Sequence, residues 1–153
     1  MKGFLARLEQ AFGVDRAREA APLAGFTTFK VGGPADWLLE TPSAGEMVTA
    51  LRLAYEAGVP VTILGGGSNV LIGDRGVRGL VVRPRFGAIE QTDEAHVRAD
   101  AGVTINALVR WTVNRGLAGL EAWAGTPGTV GGAVYGNAHF GGRLIGDLID
   151  RVE

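Results

Sequence analysis

The segment VTILGGGSNVLIGDRG, residues 61–76, places three glycines and a Ser-Asn pair directly after a run of β-forming residues. Glycine adopts backbone torsions that other residues avoid, and it lets another group approach the backbone closely. Successive N–H groups in such a turn form a concave anion site. The pattern predicts a pyrophosphate bound by Gly65, Gly66, Gly67, Ser68 and Asn69. The alternative is a tight turn that needs glycine for its geometry alone.

The sequence pattern of this segment excludes two common phosphate-binding motifs. A P-loop closes with Gly-Lys-Ser/Thr, which does not occur here. The dinucleotide fingerprint G-x-G-x-x-G fails because Val70 occupies the position of the third glycine.

A second glycine-rich segment, AGTPGTVGGAVYGNAH, covers residues 124–139. Pro127 and Gly128 fit a tight turn, while Gly131, Gly132 and Ala133 keep side chains out of a path that a flat ligand can occupy. Two such clusters, one in each predicted subdomain, predict a cleft whose walls both approach one long ligand. Close backbone packing between subdomains is the alternative.

Other side chains with reactive or aromatic groups have simpler interpretations. His96, expected in the middle of a strand, and His139 lack a second histidine at ligand spacing, so structural or surface roles are favoured over a metal. Asp93 and Glu94 are expected to be solvated in a turn. Four arginines follow the glycine loop and are either phosphate-neutralising groups or surface charges: Arg75, Arg78, Arg83 and Arg85. Three aromatic residues either stack on a ring or pack in the interior: Trp111, Trp123 and Tyr135.

The first half of the chain has the pattern of a βαβ unit. Residues 3–12 read as an amphipathic helix. A strand over 35–40 and another over 59–64 flank a helix that Ser43 and Glu46 cap with capping-box spacing, so the two strands should be parallel. A further strand over 79–84 is ended by Pro84 or pushed by it to the sheet edge.

The character of the sequence changes near Pro84, where we place a subdomain boundary. Polar residues around 92–94 predict a hairpin over 89–102 with one solvated face. Residues 104–115 predict a helix that stops before Gly116. The last segment, 144–153, reads as the beginning of a strand.

Composition excludes several classes of function. The chain has 153 residues, a formal net charge of −1 and no cysteine, so disulfides, thiolate metal sites and cysteine nucleophiles are excluded. This charge balance does not indicate a nucleic-acid partner. No apolar run approaches membrane-spanning length, and no membrane partner is expected. We therefore expect a cytoplasmic protein.

Three motifs in order resemble those of UDP-N-acetylenolpyruvoylglucosamine reductases. They are TTFKVGGPADWLLETP at 27–42, ILGGGSNVLIGDRGVRGLVV at 63–82 and GLEAWAGTPGTVGGAVYGNAHFGG at 119–142. The resemblance implies an α+β fold of the vanillyl-alcohol-oxidase or p-cresol-methylhydroxylase type, in which FAD lies between two α/β subdomains. Residues 1–25 would be an N-terminal helix and lead-in, 26–84 the first FAD-binding subdomain and 85–153 a second, incomplete at its C-terminus.

The resemblance also implies which residues hold the cofactor. Gly65 to Asn69 correspond to the pyrophosphate loop, and Asn137 follows directly on a second stretch along the flavin. That stretch comprises Thr126, Pro127, Gly128, Gly131, Gly132 and Ala133. A weaker correspondence places Phe29, Val31 and Gly32 near the ligand. No histidine or cysteine precedes Asn137 in these loops, so the FAD should be non-covalent.

The family's catalytic motifs, Tyr-Arg-x-Ser, Gly-Ser-x-Phe and a distant glutamate, have no match here. We expect them beyond residue 153, together with a substrate domain, and expect the 153-residue chain alone to be inactive. The intact enzyme would use NADPH to reduce UDP-N-acetylglucosamine enolpyruvate for peptidoglycan, and no protein partner is implied. The alternatives are another flavin oxidase or dehydrogenase of the same fold, or a non-catalytic nucleotide-binding module.

Overall fold

The computed structural model describes residues 3–153, which divide into two compact units. Unit 1 extends to Phe86 and unit 2 begins at Gly87. In the described part of the chain, unit 1 has a four-stranded sheet and two buried apolar clusters, and unit 2 has two two-stranded sheets and one buried apolar cluster. Among residues 3–153, no helix combines the length and the apolar character needed to cross a membrane.

Unit 1 is a four-stranded sheet with two helices. In chain order its elements are α1 (Phe4–Phe12), β1 (Ala17–Pro22), β2 (Pro34–Thr41), α2 (Ala44–Glu56), β3 (Val61–Ile63) and β4 (Val77–Pro84). The strand order is β1-β2-β4-β3, with β1 antiparallel to β2 and both β2 and β3 parallel to β4. The predicted parallel strands of the βαβ unit are therefore separated by β4.

The central position of β4 follows from its sequence. Gly79 to Val82 form an uninterrupted buried run, which is typical of a parallel strand covered on both faces. Pro84 is the last residue of the strand, so it ends β4 and does not push it to an edge. The strand of unit 1 that the sequence pattern did not predict is β1, whose polar residues Arg18 and Glu19 find partners in Glu40 and Trp37 of β2.

The helices of unit 1 form where their sequences predict, and the Ser43 half of the predicted capping box is present at the start of α2. The Ser43 hydroxyl accepts a hydrogen bond from the Glu46 backbone N–H at 3.2 Å, which caps α2. The Glu46 carboxylate accepts a hydrogen bond from the Arg16 guanidinium at 2.7 Å, which links the first turn of α2 to the residue before β1. Both helices cover one face of the sheet, where the rings of Phe4 and Trp37 meet edge to face at 5.1 Å.

Unit 2 contains short elements around one apolar cluster. They are β5 (Ile89–Gln91), β6 (Val97–Ala99), α3 (Ile105–Val113), α4 (Val130–Tyr135), β7 (His139–Phe140) and β8 (Arg143–Leu144). The predicted hairpin and the predicted helix are present as β5–β6 and α3. Trp123 is fully buried at the centre of the cluster, so its ring packs in the interior.

Two sequence-based predictions in unit 2 are wrong. His96 does not lie in mid-strand, because it precedes β6 and its Nδ1 contacts Asp93 Oδ1 at 2.9 Å in the turn. Residues 144–153 do not form a strand beyond Leu144, since a 3-10 helix covers Ile145–Leu148. An apolar alternation alone does not make a strand, which also needs a partner for its backbone groups, and within residues 87–153 no strand pairs with 148–153.

Candidate functional site

The predicted phosphate loop begins where β3 ends. The N–H of Leu64 donates to the Val82 carbonyl at 2.9 Å, and the chain then leaves the sheet at the carboxyl end of its parallel strands. This is the edge at which open α/β sheets bind ligands. Gly66 is exposed, while Gly67 is buried with φ at +66°.

The loop packs directly on a second predicted segment. Thr28 donates its backbone N–H to the Gly67 carbonyl at 3.0 Å. A Cβ atom on Gly67 would lie 2.0 Å from the Phe26 carbonyl oxygen, so internal packing requires glycine there. The structure thus brings the glycine loop together with the segment that contains Phe29, Val31 and Gly32.

This second segment is a hydrogen-bonded turn with apolar side chains exposed to solvent. Thr27 is buried, and its hydroxyl donates to the Val31 carbonyl at 2.8 Å. Gly32 has φ at +141°, and a Cβ on it would approach the Ile72 Cβ to 3.1 Å. Phe29 and Val31 remain 62% and 46% exposed. Exposed apolar groups beside an open glycine loop suit a ligand that has both a flat part and a charged part.

The glycine-rich stretch of unit 2, predicted to leave room for a flat ligand, forms the short helix α4 over Val130–Tyr135. Thr129 caps α4, because its hydroxyl oxygen accepts from the Gly132 N–H at 3.3 Å. Gly128, with φ at +110°, accepts a hydrogen bond from the Ile105 N–H at 3.1 Å and so joins this turn to the start of α3. Pro127 lies in the same turn and Ala133 is buried in the apolar cluster of unit 2.

The two glycines of α4 have different surroundings. A Cβ on Gly131 would lie 2.8 Å from the Ala101 Cβ and 3.1 Å from the Ala101 carbonyl oxygen. A Cβ on Gly132 would meet only the Thr129 hydroxyl oxygen, at 3.4 Å, and Gly132 is exposed. Packing inside unit 2 therefore explains Gly131, whereas Gly132 is left as a candidate for ligand approach.

Two buried polar atoms close to this stretch have no hydrogen-bond partner among residues 3–153. They are the hydroxyl oxygen of Thr126 and the indole Nε1 of Trp123. Thr126 and Trp123 are in direct contact, because the Thr126 N–H donates to the Trp123 carbonyl at 3.1 Å. Asn137 has a different arrangement, with φ at +41° and its side-chain oxygen accepting from the Gly146 N–H at 3.1 Å. The side-chain oxygen of Asn137 is therefore occupied by a hydrogen bond within unit 2.

Two of the arginines after the loop pair closely with carboxylates of unit 1, while Arg85 lies 3.7 Å from Glu40. Arg78 pairs with Asp36, and Arg83 with Glu40. Burial lowers the pKa of the Arg83 guanidinium, and the Glu40 carboxylate opposes this shift. Sequence reasoning missed Arg18, which approaches the same Glu40 from β1, because nothing in its local sequence shows that β1 pairs with β2.

The acids and histidines of unit 2 form no metal centre. Asp93 accepts hydrogen bonds from the Ala95 and His96 backbone N–H groups at 2.8 and 2.9 Å. These bonds, with that from the His96 ring, hold the pKa of Asp93 below its ordinary value. His139 is exposed in β7. Within residues 3–153 no three metal-ligating side chains converge.

Comparison with known proteins places these features in a family. The family model described as FAD binding domain matches residues 35–153. The chain belongs to this FAD-binding domain family. It resembles the UDP-N-acetylenolpyruvoylglucosamine reductase of Rubrobacter xylanophilus, with 51% identity over 119 residues, 76% of this chain and 40% of the relative. The chain spans 40% to 47% of the length of the curated relatives it matches.

Solved structures give the same assignment. The UDP-N-acetylenolpyruvylglucosamine reductase of Thermus caldophilus superposes with a TM-score of 0.64 at 34% identity, covering 82% of this chain and 44% of that one. The p-cresol methylhydroxylase structure superposes with a TM-score of 0.54 at 14% identity, covering 76% of this chain and 25% of that one, which shows the fold alone. The sequence-based resemblance and the predicted fold type are confirmed.

The residues of the FAD-binding domain fit the cofactor. The loop after β3 presents an exposed Gly66 whose backbone a phosphate group can approach. Packing around Gly132 does not require a glycine. The buried hydroxyl of Thr126 has no hydrogen-bond partner among residues 3–153. Both units therefore contain groups that internal packing alone does not explain.

Proposed function

We propose that Gly65 to Asn69 hold the pyrophosphate of FAD and that the stretch from Thr126 to Ala133 approaches the same cofactor. The observation that carries this proposal is the exposed glycine at the carboxyl end of a parallel strand, in a loop that the Thr28–Gly67 contact holds in place. Residues 26–84 and 85–153 then serve as the two FAD-binding subdomains.

The task of this chain is placement of the cofactor. Backbone N–H groups of the glycine loop hold the phosphate oxygens, and the exposed Phe29 offers an apolar surface beside them. Gly132 keeps the surface of α4 open to close approach. Bound FAD supplies the hydride-transfer chemistry, which the side chains of a protein do not.

We propose further that the whole protein is an NADPH-dependent reductase of UDP-N-acetylglucosamine enolpyruvate in the cytoplasm. Its product would enter peptidoglycan synthesis and so support cell-wall biogenesis, cell shape and division. Identities of 40% to 51% with reductases of that name support this proposal. The competing assignment, another flavin oxidase or dehydrogenase of the same fold, rests on structural neighbours below 25% identity.

FAD titration of two valine variants tests the cofactor site. Gly66→Val places a branched side chain where the phosphate should approach, and we expect the Kd for FAD to rise roughly tenfold or more. Gly73→Val is the matched control, because Gly73 lies in the same connection and a Cβ there meets no atom within 4 Å. Flavin fluorescence gives the Kd, and circular dichroism shows whether both variants fold. Equal FAD affinity in parent and Gly66→Val would refute the loop assignment.

The activity is tested in the protein as its gene encodes it. We expect NADPH oxidation that depends on UDP-N-acetylglucosamine enolpyruvate, with loss of turnover in Gly66→Val and partial recovery at excess FAD. Retained FAD binding with no turnover of this substrate would favour the oxidase or dehydrogenase alternative. Absence of FAD binding would favour the non-catalytic nucleotide-binding module.

A further inference from the structure

We propose that Arg18 and Arg85 form a second anion subsite in unit 1, specific for a phosphate-class group and adjoining the glycine loop. This subsite is separate from the FAD contacts proposed above and does not depend on them. It rests on the arrangement of three arginines around a single carboxylate at the carboxyl end of β2 and β4.

Glu40 is the carboxylate that the three arginines share. Arg83 Nη1 lies 2.5 Å from Glu40 Oε1, a charge-assisted hydrogen bond. The nearest nitrogens of Arg18 and Arg85 lie 3.6 and 3.7 Å from the Glu40 oxygens, beyond hydrogen-bonding distance. Arg18 and Arg85 are also 49% and 61% exposed. Their donors are therefore available to a ligand.

The charges around Glu40 do not balance. Arg16 is neutralised separately, because its guanidinium donates to the Glu46 carboxylate at 2.7 Å. Glu40 alone then faces three guanidinium groups, each with about five N–H donors, against about four acceptor positions on one carboxylate. An added anion would satisfy both the excess charge and the excess donors.

Arg83 also shows the excess of positive charge and of N–H donors around Glu40. Its Nε is buried and has no acceptor among residues 3–153. Burial is the largest cause of its lowered pKa, and the charges of Arg85 and Arg18 lower the pKa further. The Glu40 carboxylate offsets these effects only in part, because the pKa of Arg83 remains below its ordinary value.

Phe26 connects this cluster to the glycine loop. The Cζ atoms of Arg83 and Arg18 lie 4.3 and 5.3 Å from the centroid of its ring. The carbonyl oxygen of the same residue packs against Gly67. A cation–π contact limits the freedom of a guanidinium and leaves its edge free to donate, so Phe26 holds both arginines on a residue whose backbone packs against the loop.

Acidic groups on the other side of Arg18 do not neutralise the excess positive charge around Glu40. Glu9, Asp15 and Glu19 line a cleft beside this arginine. Glu19 accepts a hydrogen bond from the Trp37 indole at 3.1 Å. In the part of the chain that the structure describes, none of the three forms an ion pair with Arg18. Two exposed guanidinium groups on neighbouring chain segments suit the several oxygens of a phosphate group, which Arg binds in bidentate geometry.

Calorimetric titration of the protein as its gene encodes it with inorganic phosphate, at low ionic strength and without FAD, tests the subsite. We expect saturable binding that weakens roughly tenfold in the double variant Arg18→Gln/Arg85→Gln, because both donors are lost. Arg52→Gln is the matched control, since Arg52 is exposed on α2 and forms no ion pair within residues 3–153. Glu40→Gln removes the competing carboxylate and should tighten phosphate binding.

Two outcomes would overturn the proposal: no saturable phosphate binding, or equal loss of binding in the double variant and in Arg52→Gln. The three arginines would then be an ion-pair network that joins β1, β2 and β4. Titration with NADPH and NADH distinguishes the sources of the anion, because only NADPH carries a separate 2′-phosphate. FAD binding is measured independently by flavin fluorescence, so failure of the glycine loop and failure of this subsite give different results.

Discussion

At the scale of single residues, glycine serves two different purposes in this chain. Gly67 is required by packing, since any Cβ there would overlap the Phe26 carbonyl. Gly66, its exposed neighbour, carries the functional proposal. A substitution at Gly67 would disturb the fold of the loop and the binding of a ligand together. A change at the exposed Gly66 is therefore the better test of binding.

Asp93 gives a residue-scale prediction about pH. Its folded-state pKa is depressed below the ordinary 3.8, chiefly by the Ala95 N–H and then by the His96 side chain. The ionised form therefore stabilises the β5–β6 turn above the ordinary pKa, and this contribution is lost as pH falls through the folded-state pKa. We expect the amide resonances of Ala95 and His96 to shift in that acidic range in an NMR titration.

Variants of the turn provide the control for this titration. Asp93→Asn keeps an oxygen acceptor and removes the titrating charge, so the acid-induced shift of the two amides should disappear. Glu94→Gln changes the neighbouring exposed acid and should leave the shift in place. An unchanged titration in Asp93→Asn would show that another group moves these amides.

At the scale of elements, α4 shows how packing and ligand approach can be separated on one short helix. It presents Gly131 to Ala101 and leaves Gly132 exposed. Alanine is intrinsically more favourable than glycine in a helix by roughly 1 kcal/mol. Helix formation by itself therefore does not require glycine at either position.

Alanine substitution at each glycine tests this division. Gly131→Ala should destabilise unit 2, because the new methyl group would meet Ala101 at 2.8 Å. Gly132→Ala should leave stability equal or higher by up to about 1 kcal/mol, while weakening FAD binding if the cofactor approaches this surface. Chemical denaturation and FAD titration measure the two effects. Stable folding with unchanged FAD affinity in Gly132→Ala would remove α4 from the proposed site.

At the scale of the whole molecule, the chain has separate apolar clusters in its two units. Leu38 belongs to unit 1 and is completely buried between strand neighbours, while Ile105 and Trp123 belong to the cluster of unit 2. Separate cores allow the units to open with different free energies.

Leu38→Ala should therefore destabilise unit 1 by about 2 to 5 kcal/mol through the lost contacts and the cavity. We expect native-state hydrogen exchange to accelerate across residues 3–86 and to change less across residues 87–153. Ile105→Ala should show the reverse pattern. Equal acceleration in both units after either substitution would show that the chain unfolds as one cooperative body.

The sequence alone determined the features that depend on neighbouring residues. The Ser43 cap of α2, the β5–β6 hairpin around Asp93 and the glycine loop after β3 all follow from local spacing, because caps and turns are satisfied within a few residues. The resemblance added the fold type and the cofactor, which periodicity does not contain.

Only the tertiary structure decided which distant groups meet. The insertion of β4 between β2 and β3, the pairing of the polar strand β1 with β2, and the convergence of Arg18 and Arg85 on Glu40 join residues far apart in the chain. Such contacts depend on which surfaces are buried together, and local patterns do not encode that choice. For the same reason, the sequence marked Gly131 and Gly132 alike, and only the position of Ala101 distinguishes the glycine that packs from the one that stays open.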